Sequence, residues 1–284
     1  MSRIVYLNGE YMAPEQAKIS IFDRAALFGD AVYEVAGVLD GKLLDFDNHM
    51  SRLARSLGEL AIPQPLTTDE ILQAYRKLVT LNSIREGLVY MQVSRGVAER
   101  DFTYESGMTP TVFMFTQETS SSYSDMAKTG VALKSVADIR WARRDIKSVN
   151  LLGQVLVKQA AHDAGAYEAL MIGPDGYITE CGATSFFIFS DNTIITRPLS
   201  SDILPGVTRR AILELCESYQ LGLEEKLFTL EQALNAEEAF ISGASTFVMP
   251  VTRIDDKPVG TGLPGPATMA LRKIYLDHAR DTAI

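Results

Sequence analysis

The sequence predicts a mixed α/β (α+β) fold of two domains: a smaller N-terminal α/β domain and a larger, β-rich C-terminal domain with helices. Short apolar strands alternate with tight-turn sequences in both halves of the chain, and segments with helical spacing of apolar residues lie between them. A serine-rich polar run separates the two halves. A length of 284 residues suits one large domain or two smaller ones, and the polar run favours two.

The N-terminal half begins with two predicted hairpins. A strand at residues 5–7 runs into an Asn-Gly turn, and a strand at residues 35–39 runs into an Asp-Gly turn. Both dipeptides favour the tight turns of β-hairpins. We therefore predict an antiparallel sheet packed with helices. Two helices and two further strands complete it, at residues 48–60, 68–79, 88–94 and 111–116.

The polar run lies at residues 118–125 and consists of serine, threonine and acidic residues with one tyrosine. It has almost no apolar surface to bury, which is typical of a linker. We predict a small domain over residues 1–118, an interdomain linker over 119–128 and a large domain over 129–284.

The C-terminal half is predicted to be strongly β. A strand at residues 131–137 precedes a helix at 149–164, which Gly165 ends. Turn sequences such as Pro-Asp-Gly then separate short strands between residues 167 and 196. The remaining elements are helices at residues 207–218, 230–235 and 265–280 and a strand at 238–242.

The composition disfavours several classes of protein. Lys and Arg number 27 against 36 Asp and Glu, a formal net charge of −9, so we expect no nucleic-acid partner. No apolar stretch is as long as a membrane helix and no signal-peptide core follows Met1, so we expect a cytoplasmic protein without a membrane partner. Two cysteines and three widely separated histidines predict neither a disulfide framework nor a metal site.

Three short segments contain residue types that carry chemistry. Pro205 and Gly206 lead into a helix with Thr208 in its first turn, which is either an anion site or an ordinary helix start. Lys147 follows three arginines and is either a Schiff-base lysine or an exposed loop residue. Glu180 is the one acid in a loop of small residues, and it either caps a turn or meets a buried cation or protonated heterocycle. Together the three could hold pyridoxal 5'-phosphate by its phosphate, aldehyde and ring nitrogen.

The order and spacing of these segments resemble those of the fold-type IV (class IV) pyridoxal-phosphate aminotransferases, in particular the D-amino-acid transaminases. The resemblance covers essentially the whole chain, and no single motif carries it. The segments are residues 6–9, 22–24, 28–34, 49–53, 145–150, 179–180, 204–209 and 241–245.

The resemblance implies roles for the residues in these segments. Lys147 forms the Schiff base with pyridoxal 5'-phosphate and then moves the substrate proton, and Glu180 pairs with the pyridine nitrogen. Arg140 lies near the phenolic oxygen of the cofactor. The phosphate is bound by Arg52, Val207 and Thr208, with Ala244 and Ser245 in a loop where the family often has a threonine, so that one phosphate hydrogen bond is in doubt. The resemblance also implies a homodimer whose active site borrows residues from the neighbouring subunit.

The substrate is predicted from three further residues. Tyr33 and Arg100 match the D-amino-acid transaminases, where the arginine helps to bind the substrate carboxylate. Phe102 stands where that subfamily usually has histidine, so one donor to the carboxylate is missing and the pocket is more apolar. We expect a transaminase that moves an amino group from a D-amino acid such as D-alanine to a 2-oxo acid such as 2-oxoglutarate or pyruvate.

Other functions remain open at this point. An (R)-selective primary amine transaminase is the main alternative, because Phe102 makes the pocket apolar and (R)-amines present the same proton as D-amino acids. A branched-chain aminotransferase and an aminodeoxychorismate lyase are disfavoured, since their versions of these loops carry different residues. A binding protein without cofactor is disfavoured by the intact Lys147 and Glu180.

Overall fold

The computed structural model describes residues 3–119 and 125–284. Within these residues the chain forms 15 strands and 8 helices. They separate into two compact units, one of residues 3–119, 146–150 and 282–284 and the other of residues 125–145 and 151–281.

The first unit is built on a six-stranded sheet in which all the strand pairs are antiparallel, with the order β2-β1-β6-β5-β3-β4. Three helices accompany the sheet, and the core includes the apolar face of the second helix. The elements are β1 (Val5–Leu7), β2 (Glu10–Met12), α1 (Arg24–Phe28), β3 (Ala31–Leu39), β4 (Lys42–Leu43), α2 (Phe46–Glu59), α3 (Thr68–Leu81), β5 (Gly87–Ser94) and β6 (Thr111–Glu118).

Local sequence explains the boundaries of these elements. Asn8 and Gly9 both have positive φ, at 48° and 100°, which closes the tight turn between β1 and β2. Helix α3 begins with a capping box, in which the Thr67 hydroxyl accepts from the Glu70 amide and the Glu70 carboxylate accepts from the Thr67 amide. The hairpins and helices that the sequence predicts for this half are therefore present.

Two segments from the later part of the chain join the first unit. The Tyr33 amide donates to the Lys147 carbonyl oxygen at 3.0 Å, and the Val149 amide donates to the Ala31 carbonyl oxygen at 3.1 Å. Leu43 and Ile284 exchange two backbone hydrogen bonds, of 2.9 and 3.1 Å. The predicted domain of residues 129–284 therefore differs from the units of the structure at these segments, since pairing between distant backbones leaves no local sequence signal.

The predicted linker at residues 119–128 also differs from the structure. Residues 120–124 lie outside the described residues. Asp125–Thr129 form a short helix, α4, and Ala127 is buried in the core of the second unit. The last residues of the predicted linker are therefore helical, with Ala127 packed into that core.

The second unit is built on a nine-stranded mixed sheet with the order β12-β11-β10-β13-β14-β7-β8-β9, to which β15 adds beside β14. The pairs β7–β8, β7–β14 and β11–β12 are parallel and the others antiparallel. This agrees with the β-rich domain that the sequence predicts. The strands are β7 (Val131–Ala137), β8 (Glu168–Ile172), β9 (Ile178–Cys181), β10 (Ser185–Ser190), β11 (Thr193–Thr196), β12 (Gly222–Glu225), β13 (Glu238–Gly243), β14 (Phe247–Ile254) and β15 (Lys257–Pro258).

The helices of the second unit are α4, α5 (Leu152–Asp163), α6 (Val207–Ser218), α7 (Leu230–Leu234) and α8 (Pro266–Thr282). Helix α5 begins three residues later than predicted, because the chain is still paired with β3 at Val149. Over residues 3–119 and 125–284, none of the helices combines the length and apolar character needed to span a membrane.

Candidate active site

Lys147 lies in the segment of residues 146–150, which pairs with β3 in the first unit. Its carbonyl oxygen accepts from Tyr33, and its amide donates to the Ser56 hydroxyl at 3.3 Å. The half-buried Lys147 side chain places Nζ 4.2 Å from the centroid of the Tyr33 ring. The backbone therefore fixes the lysine over an aromatic face, which attracts its positive charge.

Tyr33 is itself held by a row of aromatic rings. It stacks on Tyr90 with centroids 5.5 Å apart, and Tyr90 stacks on Phe115 at 4.7 Å. These rings lie on adjacent strands of one sheet, where cross-strand aromatic pairs add to stability. The structure thus brings together the predicted site residues Lys147 and Tyr33 on a rigid surface.

Arg52, on α2, is bound to a carboxylate that sequence reasoning did not single out. Its Nε and one terminal nitrogen donate to the two carboxylate oxygens of Glu34, each at 2.8 Å, and His49 Nδ1 lies 2.7 Å from Glu34 Oε2. Burial alone would raise the pKa of Glu34, but Arg52 and His49 outweigh it and lower the pKa to about 2. Arg52 is therefore held by a buried, ionised partner.

Arg100 and Phe102 lie in the loop of residues 96–104 after β5, which we call the substrate loop. The exposed Arg100 guanidinium is 5.4 Å from the centroid of the Phe28 ring and 5.5 Å from that of Phe102. Phe102 is 78% exposed. The two predicted substrate residues are thus neighbours, and the arginine is accessible to a ligand.

Glu180 is buried on β9 in the second unit. Its Oε1 accepts from Arg140 and, at 3.1 Å, from the Leu204 amide. In the described part of the chain, Oε2 has no hydrogen-bond partner. Burial raises the pKa of Glu180, and the Arg140 guanidinium opposes that rise. One oxygen is therefore fixed and the other can accept a hydrogen bond from a ligand.

Arg140 is bound between two carboxylates. Its Nε donates to Asp138 Oδ1 at 3.0 Å, one terminal nitrogen donates to Asp138 Oδ2 at 2.8 Å, and the other donates to Glu180. Burial alone would lower the pKa of Arg140, but these two acids raise it. Asp138 was not among the predicted site residues, although its place two positions before Arg140 is a signal that could have identified it.

The N-terminus of α6 is open to an anion. Gly206 precedes the helix without a side-chain cap, and Val207 and Thr208 occupy the first turn. Among the described residues, no side chain bonds the Thr208 hydroxyl. A β-carbon on Gly206 would come 2.8 Å from the Ser185 hydroxyl, so a larger residue here would require the Ser185 side chain to shift. The free amides and the hydroxyl therefore form a cradle for an anion.

Ala244 and Ser245 lie in the turn between β13 and β14, and both are half-buried. The turn is near the N-terminus of α6, because Ser185, which lies beside Gly206, pairs with Ser242 in the sheet. Ala244 contributes no hydroxyl. The predicted phosphate residues of the second unit are therefore clustered at one end of the paired strands β10 and β13.

The donor set of the second unit fits pyridoxal 5'-phosphate. A buried acid with one free oxygen suits a protonated ring nitrogen, and helix amides with a hydroxyl suit a phosphate dianion. Lys147, with Tyr33 and Arg52, lies in the other unit.

The chain belongs to the amino-transferase class IV family, whose pattern it matches over residues 31–254. It is 39% identical over 264 residues to a D-alanine aminotransferase of Bacillus licheniformis, covering 93% of each chain. It is 37% identical over 281 residues to a D-alanine aminotransferase of Staphylococcus aureus strain MSSA476, covering 99% of each chain.

A solved structure has the same fold. It is the branched-chain amino acid aminotransferase of Thermobaculum terrenum in its PLP form, with a TM-score of 0.86, 24% identity, and coverage of 99% of this chain and 94% of that one. The family, fold class, enzyme class and pyridoxal-phosphate cofactor that the sequence predicts are confirmed.

Proposed function

We propose that this aminotransferase moves an amino group from a D-amino acid such as D-alanine to a 2-oxo acid such as 2-oxoglutarate or pyruvate. The observation that carries the proposal is the fixed position of Lys147 on the Tyr33 ring, at 4.2 Å, in a chain that aligns along nearly its whole length with D-alanine aminotransferases. The accessible Arg100 guanidinium supports an amino acid as the donor, because a guanidinium binds a carboxylate through two parallel hydrogen bonds.

Each site residue has a role in this reaction. Pyridoxal 5'-phosphate, when bound, supplies an electron sink for the negative charge that develops at the substrate Cα. The Lys147 amine would remove the proton from the substrate Cα and deliver it to C4′ of the cofactor, a role that requires an amine next to both carbons. Glu180 Oε2 would accept a hydrogen bond from the ring nitrogen and so favour its protonated form. Arg140 donates a hydrogen bond to Glu180 and opposes the rise in its pKa that burial causes.

The phosphate end of the cofactor is held by a separate set of groups. The Val207 and Thr208 amides and the Thr208 hydroxyl would donate to it from the N-terminus of α6. Arg52 contributes positive charge, and Glu34 fixes the orientation of its guanidinium. Ser245 and Thr246 are the hydroxyl residues of the turn between β13 and β14, and Ala244 adds no donor.

An (R)-selective amine transaminase is the second candidate. The observation that favours it is the Phe28 and Phe102 pair, with ring centroids 5.4 Å apart, beside Arg100. Two aromatic rings there suit an apolar amine substituent, and Phe102 cannot donate a hydrogen bond to a carboxylate.

A half-reaction experiment separates the candidates. The purified holoenzyme is mixed with D-alanine, L-leucine or (R)-1-phenylethylamine, and the visible absorbance of the cofactor is followed. Fast loss of that absorbance with D-alanine and a weak response to the amine would support the proposal. A response led by the amine would favour the second candidate, and one led by L-leucine would contradict both.

We also propose that the enzyme is a cytoplasmic homodimer. The support for a dimer is an apolar face of α5, on which Leu152, Val155 and Leu156 are 72%, 59% and 53% exposed. Exposed apolar clusters of this kind are typical of protein interfaces. Light scattering after size exclusion should give twice the mass of one chain, and a Leu156→Glu variant should shift the mass towards one chain.

A further inference from the structure

The beginning of the substrate loop is tied to the segment around α1. The Arg24 amide donates to the Gly96 carbonyl oxygen at 2.9 Å. The Ala98 amide donates to the Phe22 carbonyl oxygen at 3.3 Å. The first residues of the loop are therefore held by backbone hydrogen bonds, one of which is donated by the Arg24 amide.

The far end of the loop is held by the side chain of the same arginine. One terminal nitrogen of Arg24 donates to the carbonyl oxygens of Asp101 at 2.7 Å and Thr103 at 3.2 Å. The other donates to the carbonyl oxygen of Phe102 at 3.3 Å. Three successive carbonyls on the far side of Arg100 thus converge on a single guanidinium, and Arg24 as a whole is 3% exposed.

The Arg24 guanidinium is itself fixed by an acid and an aromatic ring. Its Nε donates to Asp30 Oδ2 at 2.8 Å, and Arg95 donates to both carboxylate oxygens of Asp30 at 2.7 and 3.0 Å. Burial alone would raise the pKa of Asp30, but hydrogen bonds from Arg95 and Arg24 outweigh it and lower the pKa. The Tyr104 ring centroid lies 3.6 Å from the Arg95 guanidinium and 5.7 Å from that of Arg24. The acid stays ionised, and neither cation is buried without a partner.

We propose that Arg24 is a positioning residue: it joins the two ends of the substrate loop and thereby sets how well Arg100 binds a substrate carboxylate. The proposal rests on the proposed function, in which Arg100 binds that carboxylate. A planar guanidinium can serve Asp30 and three carbonyls at once, whereas the compact ammonium of lysine cannot. If the loop is loosened, a substrate that binds Arg100 must also order the loop, and this lowers its affinity. An amine without a carboxylate does not bind Arg100, so its affinity is unaffected.

The test compares Arg24→Lys with the matched control Arg85→Lys. Arg85 is an exposed arginine whose ion pair with Asp40 is long, at 3.8 Å. Each holoenzyme is treated with chymotrypsin without substrate, and cleavage after Phe102 is followed by mass spectrometry. We expect Arg24→Lys to be cut about tenfold faster than the control, because local opening of the loop exposes this bond.

The same variants are then assayed for transamination. In Arg24→Lys we expect KM for D-alanine to rise about tenfold, with kcat changed less than about threefold and the half-reaction with (R)-1-phenylethylamine unchanged. A general loss of structure would instead lower kcat for both donors together. Unchanged cleavage in Arg24→Lys would overturn the proposal. Faster cleavage with an unchanged KM for D-alanine would overturn the link between the loop and the carboxylate.

A milder variant keeps the proposal testable if Arg24→Lys does not fold. Tyr104→Leu removes the ring beside Arg95 and Arg24 at a residue that is 50% exposed. We expect a smaller change in the same direction for both the cleavage after Phe102 and KM for D-alanine, and no change in either would contradict the proposal. If the unaltered enzyme does not accept D-alanine at all, the proposed function fails, while the cleavage experiment still tests the attachment of the loop.

Discussion

Glu34 shows how a buried acid can serve a binding site without touching the ligand. It is fully buried, it accepts from both Arg52 and His49, and its charge offsets that of an arginine which would otherwise be buried alone. Its position next to Tyr33 in β3 means that one strand orients both the aromatic surface under Lys147 and the guanidinium of Arg52.

Glu34→Gln should destabilise the protein and weaken cofactor binding. The amide leaves the Arg52 charge uncompensated, so we expect the free energy of unfolding to fall by about 3 kcal/mol. The dissociation constant of pyridoxal 5'-phosphate should rise with it, because Arg52 loses its fixed orientation. Urea denaturation and cofactor titration measure the two effects. Glu214→Gln, which removes an exposed partner of Arg210, is the control and should change neither.

The pKa of Glu34 also predicts a pH dependence of stability. The group titrates at about 2 in the folded protein and at an ordinary 4.5 when unfolded, so the unfolded state binds the proton first as the pH falls. The stabilisation is therefore complete above pH 4.5 and is lost between pH 4.5 and about 2, by about 3 kcal/mol. The free energy of unfolding, measured from pH 6 down to about 2, should fall more steeply with pH for the unaltered protein than for Glu34→Gln. Parallel curves would show that Glu34 is not ionised in the folded protein.

Lys147→Ala should remove activity without removing the fold. The backbone holds this segment through Tyr33, Ala31 and Ser56, and none of those hydrogen bonds uses the lysine side chain. We expect loss of turnover and of the visible absorbance of the cofactor, with little change in the melting temperature. Lys257→Ala, on the exposed β15, should retain both signals. Normal transamination by Lys147→Ala would exclude it as the catalytic amine.

At the scale of elements, the start of α6 and the turn between β13 and β14 form the anion cradle of the second unit. The helix supplies amides that cannot bond within the helix, and the turn supplies hydroxyls at Ser245 and Thr246. Ala244 is the one residue of this three-residue turn without a hydroxyl.

Ala244→Thr should strengthen cofactor binding. A hydroxyl in this half-buried turn could donate to the phosphate, and one such hydrogen bond contributes on the order of 1 kcal/mol, or about a fivefold lower dissociation constant. Ala244→Val is the control, because valine has the shape of threonine without its hydroxyl. The two constants are measured by titrating apoenzyme with pyridoxal 5'-phosphate. Equal affinities for the two variants would place the phosphate away from residue 244.

The sequence predicted the secondary-structure elements better than the contacts between them. Turn dipeptides, helix caps and apolar spacing identified most strands and helices, because these signals are local. Arg52 and Lys147 were predicted from their motifs, but their partners Glu34 and Ser56, which lie on other elements, were not. A partner on another element is set by tertiary packing, which leaves no fixed spacing in the chain. The same reason explains why the pairing of residues 146–150 with β3 was missed.

At the scale of the whole molecule, neither unit is formed by one continuous stretch of the chain. The first unit takes its elements from residues 3–119 and then from two much later segments, one of which contains Lys147 and the other Ile284. A fragment of residues 1–119 should therefore be less stable than the intact unit, since β3 and β4 lose backbone partners. Expression of this fragment, followed by circular dichroism and thermal melting, tests the expectation. A cooperative melt at the temperature of the full chain would contradict it.

The hydrogen bonds between Leu43 and Ile284 have a consequence during synthesis on the ribosome. Ile284 lies far after β4 in the chain, so β4 lacks this partner until that part of the polypeptide has left the ribosome. Contacts so distant in sequence form slowly, because the chain between them must first be ordered. The N-terminal sheet is therefore translated early but completed late, and a nascent chain that stalls before this point carries an unpaired strand edge of the kind that promotes aggregation.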